Sequence, residues 1–187
     1  MAAKGSERSD VVRNRGKILA SAAHVLGDNP NASMSEIAAH SGLSRATLYR
    51  HFSSVDDLLF ATREHVLTLL ESATERVAEK AASPTQVVEE LAQELMLIAK
   101  KYRGLLTTTA EIDPKFARRR ERLLETLEDR ILEGQTSGEI RDDVTPRWIM
   151  TCLLGLLESS LSVGLKASAA TAALASETLL GGINHRG

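Results

Sequence analysis

Residues 33–52, SMSEIAAHSGLSRATLYRHF, decide the fold, because they predict two short helices joined by a tight turn. Ser33 and Glu36 have the spacing of a capping box, in which each residue satisfies a free backbone amide at the start of a helix. Gly42 suits the turn because glycine adopts a positive φ without steric cost. Ser44 is placed to cap the second helix. These local signals predict a helix-turn-helix.

The apolar residues of this stretch are spaced to pack its two helices together. Ile37 and Ala38 face inward from the first helix, and Ala38 is small enough for a close helix crossing. Leu43 and Leu48 supply inward apolar side chains at the turn and on the second helix. In such a unit the first helix braces across a DNA backbone while the second lies in the major groove. That groove admits one α-helix, so the arrangement points to nucleic-acid recognition.

This segment, with the helix before it and FSSVDDLL at 52–59 after it, resembles the TetR family of bacterial regulators. The family pattern of Ile-Ala, Gly-Val/Leu-Ser and Thr-Leu-Tyr-x-His-Phe is met by IA at 37–38, GLS at 42–44 and TLYRHF at 47–52. The match covers residues 10–60, and the rest agrees only as a helical layout of the expected length. The resemblance implies a sequence-specific DNA-binding transcriptional regulator, a repressor that a small hydrophobic ligand releases from its operator.

The residues expected to contact DNA lie in and just before the two short helices. Arg45 and Thr47 sit near the start of the second helix, where base contacts concentrate, and arginine to guanine is the commonest specific contact. On an ordinary helix Arg45 and Arg50 would be solvated charges. Tyr49 and His51 resemble family phosphate or base contacts, although either could instead pack against the bundle. The full predicted set is Ser33, Ser44, Arg45, Ala46, Thr47, Tyr49, Arg50 and His51.

One position departs from the family pattern. The family commonly carries a phosphate-binding lysine where this chain has Val55, so the resemblance implies that one phosphate anchor is missing. Residues 1–17 contain five basic and two acidic residues, and a local positive excess steers a protein toward phosphate. This basic N-terminal arm is a candidate replacement. The alternative is a solubilising tail.

Composition favours an all-α fold. Hydrophobic residues make up 43% of the chain, charged residues 26% and aromatic residues 3%, a balance typical of globular proteins. Alanine, leucine, glutamate and arginine recur, and all four have high helix propensity. About nine helices are predicted. Residues 1–54 are expected to form the N-terminal arm and DNA-binding domain, and residues 55–187 a helical ligand-binding and dimerisation domain.

Caps and breakers set the predicted helix limits. The first helix is expected to begin near Ser9 or Asp10 and to end at Leu26, before consecutive breakers. A long helix follows Ser54, with its acidic first turn favouring the positive helix end. The remaining helices are predicted over 84–102, 114–133, 146–165 and 168–181, with an ambiguous short one over 104–111.

The sequence offers little support for other chemistry. Cys152 is the only cysteine, so an intramolecular disulfide is excluded and a thiolate zinc site is improbable. The histidines show no metal-ligand spacing, and Glu111 and Asp113 lack the partners of a known catalytic arrangement. We expect no cofactor, no metal and no enzymatic activity. The alternative is a helical small-molecule-binding protein or enzyme whose helix-turn-helix is only structural, and a gel shift would separate the two.

The N-terminus and the most apolar stretch of the chain indicate the expected cellular location. The N-terminus is polar and lacks the apolar segment of a signal peptide. Residues 148–165 are the most apolar part of the chain, but Glu158 and several small residues interrupt them. They predict a buried helix and not a membrane span. The expected location is the cytoplasm.

A homodimer is predicted through residues 146–181. Residues 148–165 are apolar around most of the helix circumference, more than one internal face requires. The helix over 168–181 carries several alanines that allow close helix approach. The resemblance implies a four-helix bundle made from two such pairs. The alternative is that both sides of these helices are simply core.

The resemblance also implies a ligand pocket in the helical body, between the long fourth helix and the three helices at 84–102, 114–133 and 146–165. Apolar pockets with few polar groups are usual for small ligands. No cluster of carboxylates is evident, which favours a neutral or weakly polar hydrophobic ligand over a cation. Each candidate lining residue could instead be plain core. The candidates are Met96, Tyr102, Phe116, Trp148, Met150 and Cys152.

Overall fold

The structure is a computed structural model that describes the backbone of residues 3–106 and 114–183, with side chains except at residues 3–14, 103–106, 115, 116, 120 and 183. Within these ranges it contains eight helices and no strand, which confirms the all-α prediction. The helices are α1 Ala3–Asp28, α2 Met34–Ser41, α3 Arg45–His51, α4 Val55–Lys80, α5 Pro84–Leu106, α6 Pro114–Thr136, α7 Pro146–Ser162 and α8 Ala169–Ile183. The ambiguous helix over 104–111 falls mostly outside the described residues.

Several predicted helix limits are wrong: α5 continues to Leu106 beyond residue 102, α7 ends at Ser162 before residue 165, and the limits of α1 and α6 also differ. α1 begins at Ala3 and not near Ser9 or Asp10, because the intervening residues include no proline and only one glycine. The basic arm is therefore the first part of α1. α6 does not stop before Gly134 but continues to Thr136. A Cβ at Gly134 would lie 2.6 Å from the Cβ of Pro84, so this glycine allows a close approach and does not end the helix.

The chain forms two compact units. The first contains residues 1–66 and 101–112, and the second contains residues 67–100 and 113–187. α4 and α5 therefore each contribute to both units. The predicted division of roles at residues 54 and 55 stays a prediction, since compactness does not test it.

The first unit packs α1, α2 and α3 around one apolar core. Ile18 on α1 and Ile37 on α2 are fully buried, as is Leu48 on α3. Fully burying side chains of this size contributes about 1.5–3 kcal/mol each relative to leaving them exposed. Ala38 is also buried and its small side chain lies on the α2 side of this core. The core fixes the inner faces of both short helices.

The second unit has a core of its own, built from residues of α4, α5, α6, α7 and α8. Val87 and Leu91 of α5 are buried with Ile131 of α6 and Ile149 of α7. The start of α7 follows its sequence signals, because Thr145 accepts the Trp148 backbone amide and Pro146 occupies the first turn. Among the described helices, none is both long and apolar enough to cross a membrane.

Candidate nucleic-acid interface

The turn between α2 and α3 is fixed by short-range hydrogen bonds. The Ser33 backbone amide donates to Glu36 Oε2 at 2.7 Å, and the Glu36 amide donates to Ser33 Oγ at 3.4 Å. This is the predicted capping box. Hydrogen bonds from the Ser33 backbone and side chain hold the pKa of Glu36 below its ordinary value. α2 ends at Gly42, whose φ of +69° is the left-handed conformation the turn requires.

α3 is held at both ends. The Thr47 backbone amide donates to Ser44 Oγ at 3.1 Å, and the two hydroxyl oxygens of these residues lie 2.9 Å apart. At the other end the Phe52 amide donates to the Leu48 carbonyl at 3.0 Å. Leu48 is buried, as the sequence predicts, and Phe52 is buried as well. With its inner face anchored in this way, α3 presents its remaining residues outward.

All eight residues predicted to contact DNA reach the surface. Tyr49 has 48% of its surface exposed, so packing inside the bundle is not its role. Thr47 and His51 are half-buried, and the imidazole of His51 lies beside the Phe52 ring with centroids 6.3 Å apart. The other five are exposed. Their contact with DNA stays a prediction, but their placement on one short segment is what such contact requires.

The electrostatics of this surface favour an anion. Residues 37–55 contain no aspartate or glutamate. Neither Arg45 nor Arg50 forms an ion pair with any described residue, so both charges are available to phosphate or base edges. The nearby carboxylate of Asp57 is engaged locally, because it accepts the Ser53 backbone amide at 2.8 Å.

Two parts of the prediction about phosphate anchors have different outcomes. Val55 is the first residue of α4 and is half-buried, so it offers no cationic group there. The side chains of residues 3–14 lie outside the described part of the chain, and the replacement role of the arm stays a prediction. Lys17, further along α1, is exposed.

Sequence reasoning missed two contacts within the first unit. The Arg15 guanidinium carbon lies 5.1 Å from the ring centroid of Phe52, at the end of α3. The imidazole of His65 on α4 shares a hydrogen bond with the phenol of Tyr102. Each joins positions that are far apart in the sequence, and no local motif signals either one.

The predicted ligand-lining residues do not all come together. Met96 and Met150 are buried in the core of the second unit. Tyr102 belongs to the first unit instead, where it contacts His65. The side chain of Phe116 lies outside the described residues. These positions separate because helical spacing identifies an inward face but not which neighbour that face meets.

Trp148 and Cys152 line an open surface depression of about 390 Å³ between α7 and α8. Trp148 is 51% exposed and Cys152 is half-buried. The floor and walls include Leu156 and Ser159 of α7 and Leu179 of α8. Most of the lining of the depression lies within residues 146–181, the segment predicted to dimerise. Among the described residues, no group of three histidines, cysteines or carboxylates could hold a metal ion.

A short exposed helix whose arginines form no ion pair with a described residue, set by a capped turn on a three-helix core, has the architecture of a helix-turn-helix. Residues 18–62 match the family model described as bacterial regulatory proteins, tetR family. The match spans about a quarter of the chain, and over these residues the chain is similar to the TetR family.

Curated relatives include two named regulators. The transcriptional repressor LfrR of Mycolicibacterium smegmatis is 42% identical over 64 residues, which span 34% of this chain and 34% of LfrR. The match therefore covers about a third of that relative's length. A fatty acid metabolism regulator protein of Bacillus subtilis is 24% identical over 156 residues, which span 78% of this chain and 80% of the relative.

Solved structures share the fold along nearly the whole chain. AibR in complex with isovaleryl coenzyme A and operator DNA has a TM-score of 0.70 at 21% identity, covering 91% of this chain and 98% of AibR. LfrR in complex with proflavine has a TM-score of 0.67 at 22% identity, covering 94% of this chain and 99% of LfrR. At these identities the likeness establishes the fold.

Proposed function

We propose that this chain is a transcriptional repressor that binds operator DNA as a homodimer and is released by a small hydrophobic ligand. The observation that carries the proposal is α3. Its inner face is anchored by Leu48 and Phe52, and its outer face carries Arg45 and Arg50, with no carboxylate among residues 37–55. A rigid, positively charged helix of this kind inserts into the major groove.

Arg45 and Thr47 are the proposed base-reading residues, since they lie in the first turn of α3. Tyr49, Arg50 and His51 are proposed to contact phosphate or bases beyond them. Ser33 and Ser44 cap the two short helices, and hydroxyls at such positions also reach phosphate oxygens. Phosphate contacts orient the protein, while base contacts supply specificity.

The proposed dimer interface is the α7–α8 face, within residues 146–181. Large apolar side chains are exposed there, with Trp148 at 51% and Leu174 at 51%. Gly155, on the depression between the two helices, has open space around it. An apolar, concave face suits a two-fold contact, and regulators of this family are dimeric. Two-fold symmetry would place two α3 helices in successive major grooves.

The proposed ligand is a small molecule with a substantial apolar part, bound inside the second unit. LfrR is solved with proflavine and AibR with isovaleryl coenzyme A, and both molecules present apolar surface. Met96 and Met150 are the proposed lining, because flexible thioethers adapt to an entering ligand. The ligand must bind more tightly to the conformer that does not fit the operator, since equal affinity for both conformers shifts nothing.

We propose that the chain binds DNA and does not catalyse a reaction. Its proposed location is the cytoplasm, where chromosomal DNA is accessible. The curated relatives reported above are named as a repressor and a regulator. An enzyme whose helix-turn-helix only packs would have no reason to keep the outer face of α3 free of carboxylates.

The direct test is selection of duplexes from a randomised library, followed by fluorescence anisotropy on the selected duplex and on its scrambled sequence. We expect the selected duplex to contain two half-sites about 34–36 Å apart or a multiple of that spacing, bound by an even number of chains. Equal affinity for the selected and scrambled duplexes would overturn the assignment.

A thermal-shift screen of apolar compounds, with operator release as the second readout, tests the proposed ligand binding. Compounds that stabilise the protein without changing its DNA affinity would contradict the release mechanism.

A further inference from the structure

The first unit contains a side-chain contact that the proposed function does not use. His65 Nε2 on α4 and the Tyr102 phenol oxygen on α5 lie 3.0 Å apart and share a hydrogen bond, whose direction follows the imidazole tautomer. Their rings meet edge to face with centroids 5.6 Å apart. The residues are 37 positions apart in the sequence, so this is a tertiary contact between two helices.

Tyr102 stands at an irregular point of its helix. Its backbone angles, φ −129° and ψ 23°, are not helical, although α5 continues to Leu106. Its side chain is only 4% exposed. A buried hydroxyl without a partner is costly, and His65 supplies that partner. The hydrogen bond therefore fixes where α5 lies after its irregularity.

The contact lies beside two of the points where the chain passes between its compact units. On α4 the first unit ends at Val66, one residue after His65, and on α5 it begins again at Lys101, one residue before Tyr102. Both helices continue through their own backbone into the second unit. The hydrogen bond thus joins, inside the first unit, the two helices that connect covalently to the proposed ligand-binding part.

Hydrogen bonds at the α3–α4 junction extend this link toward the recognition helix, because the Ser53 backbone amide and hydroxyl both donate to Asp57 Oδ2, at 2.8 and 3.2 Å. The guanidinium of Arg15 lies over the ring of Phe52, the residue that ends α3. The charge of Arg15 also acts on His65: burial first, and then the positive charges of Arg15 and Lys101, lower the pKa of the imidazole.

We propose that the His65–Tyr102 hydrogen bond is a positioning contact through which α5 controls the conformation of α3. The proposal rests on the DNA binding proposed above. With the bond in place, α5 is fixed against α4, and the hydrogen bonds from Ser53 to Asp57 join the first turn of α4 to the end of α3. Without it, fewer molecules hold α3 in the DNA-competent conformation, and the apparent affinity falls in proportion to that fraction.

The test uses Tyr102→Phe, which removes the hydroxyl and little else, and the duplex that the wild-type protein selects from a randomised library. We expect affinity for that duplex to fall about fivefold, the effect of one net hydrogen bond. Backbone hydrogen exchange in residues 45–52 should become faster in the free protein. A merely structural contact would change thermal stability without changing exchange at α3.

A matched control removes a hydrogen bond from the second unit. Thr85 Oγ1 donates to Glu139 Oε1 at 2.7 Å, and Thr85→Val removes that donor while keeping the side-chain shape. We expect Thr85→Val to lower stability to a similar extent, yet to leave both operator affinity and exchange at 45–52 unchanged.

A second pair of variants tests the same contact from α4. His65→Gln keeps a polar group that can reach Tyr102 and should keep operator affinity within about twofold of wild type. His65→Leu removes it and should reproduce the loss seen with Tyr102→Phe. If Tyr102→Phe does not fold, this pair decides the question by the same criterion.

The proposal is overturned if Tyr102→Phe binds the selected duplex as tightly as wild type and leaves exchange at 45–52 unchanged. Equal affinities of His65→Gln and His65→Leu would contradict it as well. A wild-type protein that selects no duplex would instead show that the proposed function is wrong, and the exchange experiment on the free protein would then decide the coupling alone.

Discussion

The helix-turn-helix segment and the second unit are both made of capped helices on apolar cores, but their structures are encoded differently. In residues 33–52 the contacts that set the geometry join positions three to four apart, such as Ser44 with Thr47. In the second unit the polar contacts between helices join distant positions, 54 residues apart for Thr85 with Glu139 and 48 for Arg119 with Glu71. Local contacts suit a rigid reading surface.

The largest expected effect comes from removing the apolar anchor of α3. Leu48 is fully buried, so Leu48→Ala should destabilise the first unit by about 2–5 kcal/mol through lost burial and a cavity. Operator binding should be lost with it. Urea denaturation measures the first effect and anisotropy the second. Leu97→Ala is the control, because Leu97 is 62% exposed, and its effect should stay within about 0.5 kcal/mol. Equal effects of the two variants would contradict the packing described.

The next largest effect on stability is expected where Gly134 closely approaches Pro84 in the second unit. Gly134→Ala would place a Cβ 2.6 Å from Pro84 Cβ and 2.9 Å from Ile140 Cδ1, and this overpacking should cost about 1–3 kcal/mol. Gly16 lies inside α1 with open space around it. Gly16→Ala should therefore stabilise the protein by about 0.5–1 kcal/mol, since alanine favours helix. The melting temperatures of the two variants should move in opposite directions relative to wild type. A shift of both melting temperatures in the same direction would contradict the tight packing at Gly134 and the open space at Gly16.

Matched caps in the two regions separate stability from DNA recognition. Ser33 Oγ caps α2 and Thr145 Oγ1 caps α7, each accepting a backbone amide three residues on. Ser33→Ala and Thr145→Ala should each cost about 1 kcal/mol of stability. Only Ser33→Ala should also weaken operator binding, because only that cap lies at the proposed interface. Weaker DNA binding by both variants, at equal stability, would contradict the assignment of the interface.

The smallest expected effect is a pH dependence. Burial, Arg15 and Lys101 lower the pKa of His65 from its ordinary value of 6.5. As pH falls below that value, the unfolded chain takes up a proton that the folded protein resists, so stability falls with acidification and rises with pH. His65→Gln should flatten this slope between about pH 5 and 7, measured by urea denaturation at several pH values. A slope identical to wild type would show that His65 does not titrate differently on folding.

How much of each region could be predicted from the sequence depends on whether its contacts join nearby or distant positions in the chain. The capping box at Ser33, the positive φ of Gly42 and the burial of Leu48 could all be read from short patterns, and the family resemblance rested on the same residues. The start of α1 was misplaced because residues 3–8 carry no distinct cap. The role of Gly134 was missed because its cause is the distant Pro84.

The candidate sites divide in the same way. The eight predicted DNA-contacting residues all lie on the surface of one local segment. The ligand candidates were chosen by side-chain type and helical spacing, which do not specify tertiary neighbours. Consequently Met96 and Met150 fall in one core, Tyr102 pairs with His65 in the other unit, and Trp148 and Cys152 line a surface depression.

The central claim is that α3 reads DNA sequence through its outer face. It is tested by measuring the affinity of the Arg45→Ala, Tyr49→Ala double variant for the selected duplex and for its scrambled sequence. Both side chains are exposed, so the fold should be unchanged by circular dichroism and thermal unfolding. We expect Arg45→Ala alone to lose about 1–3 kcal/mol on the selected duplex and to relax one base preference, with a further loss from Tyr49→Ala. Wild-type affinity and wild-type discrimination in the folded double variant would contradict the claim.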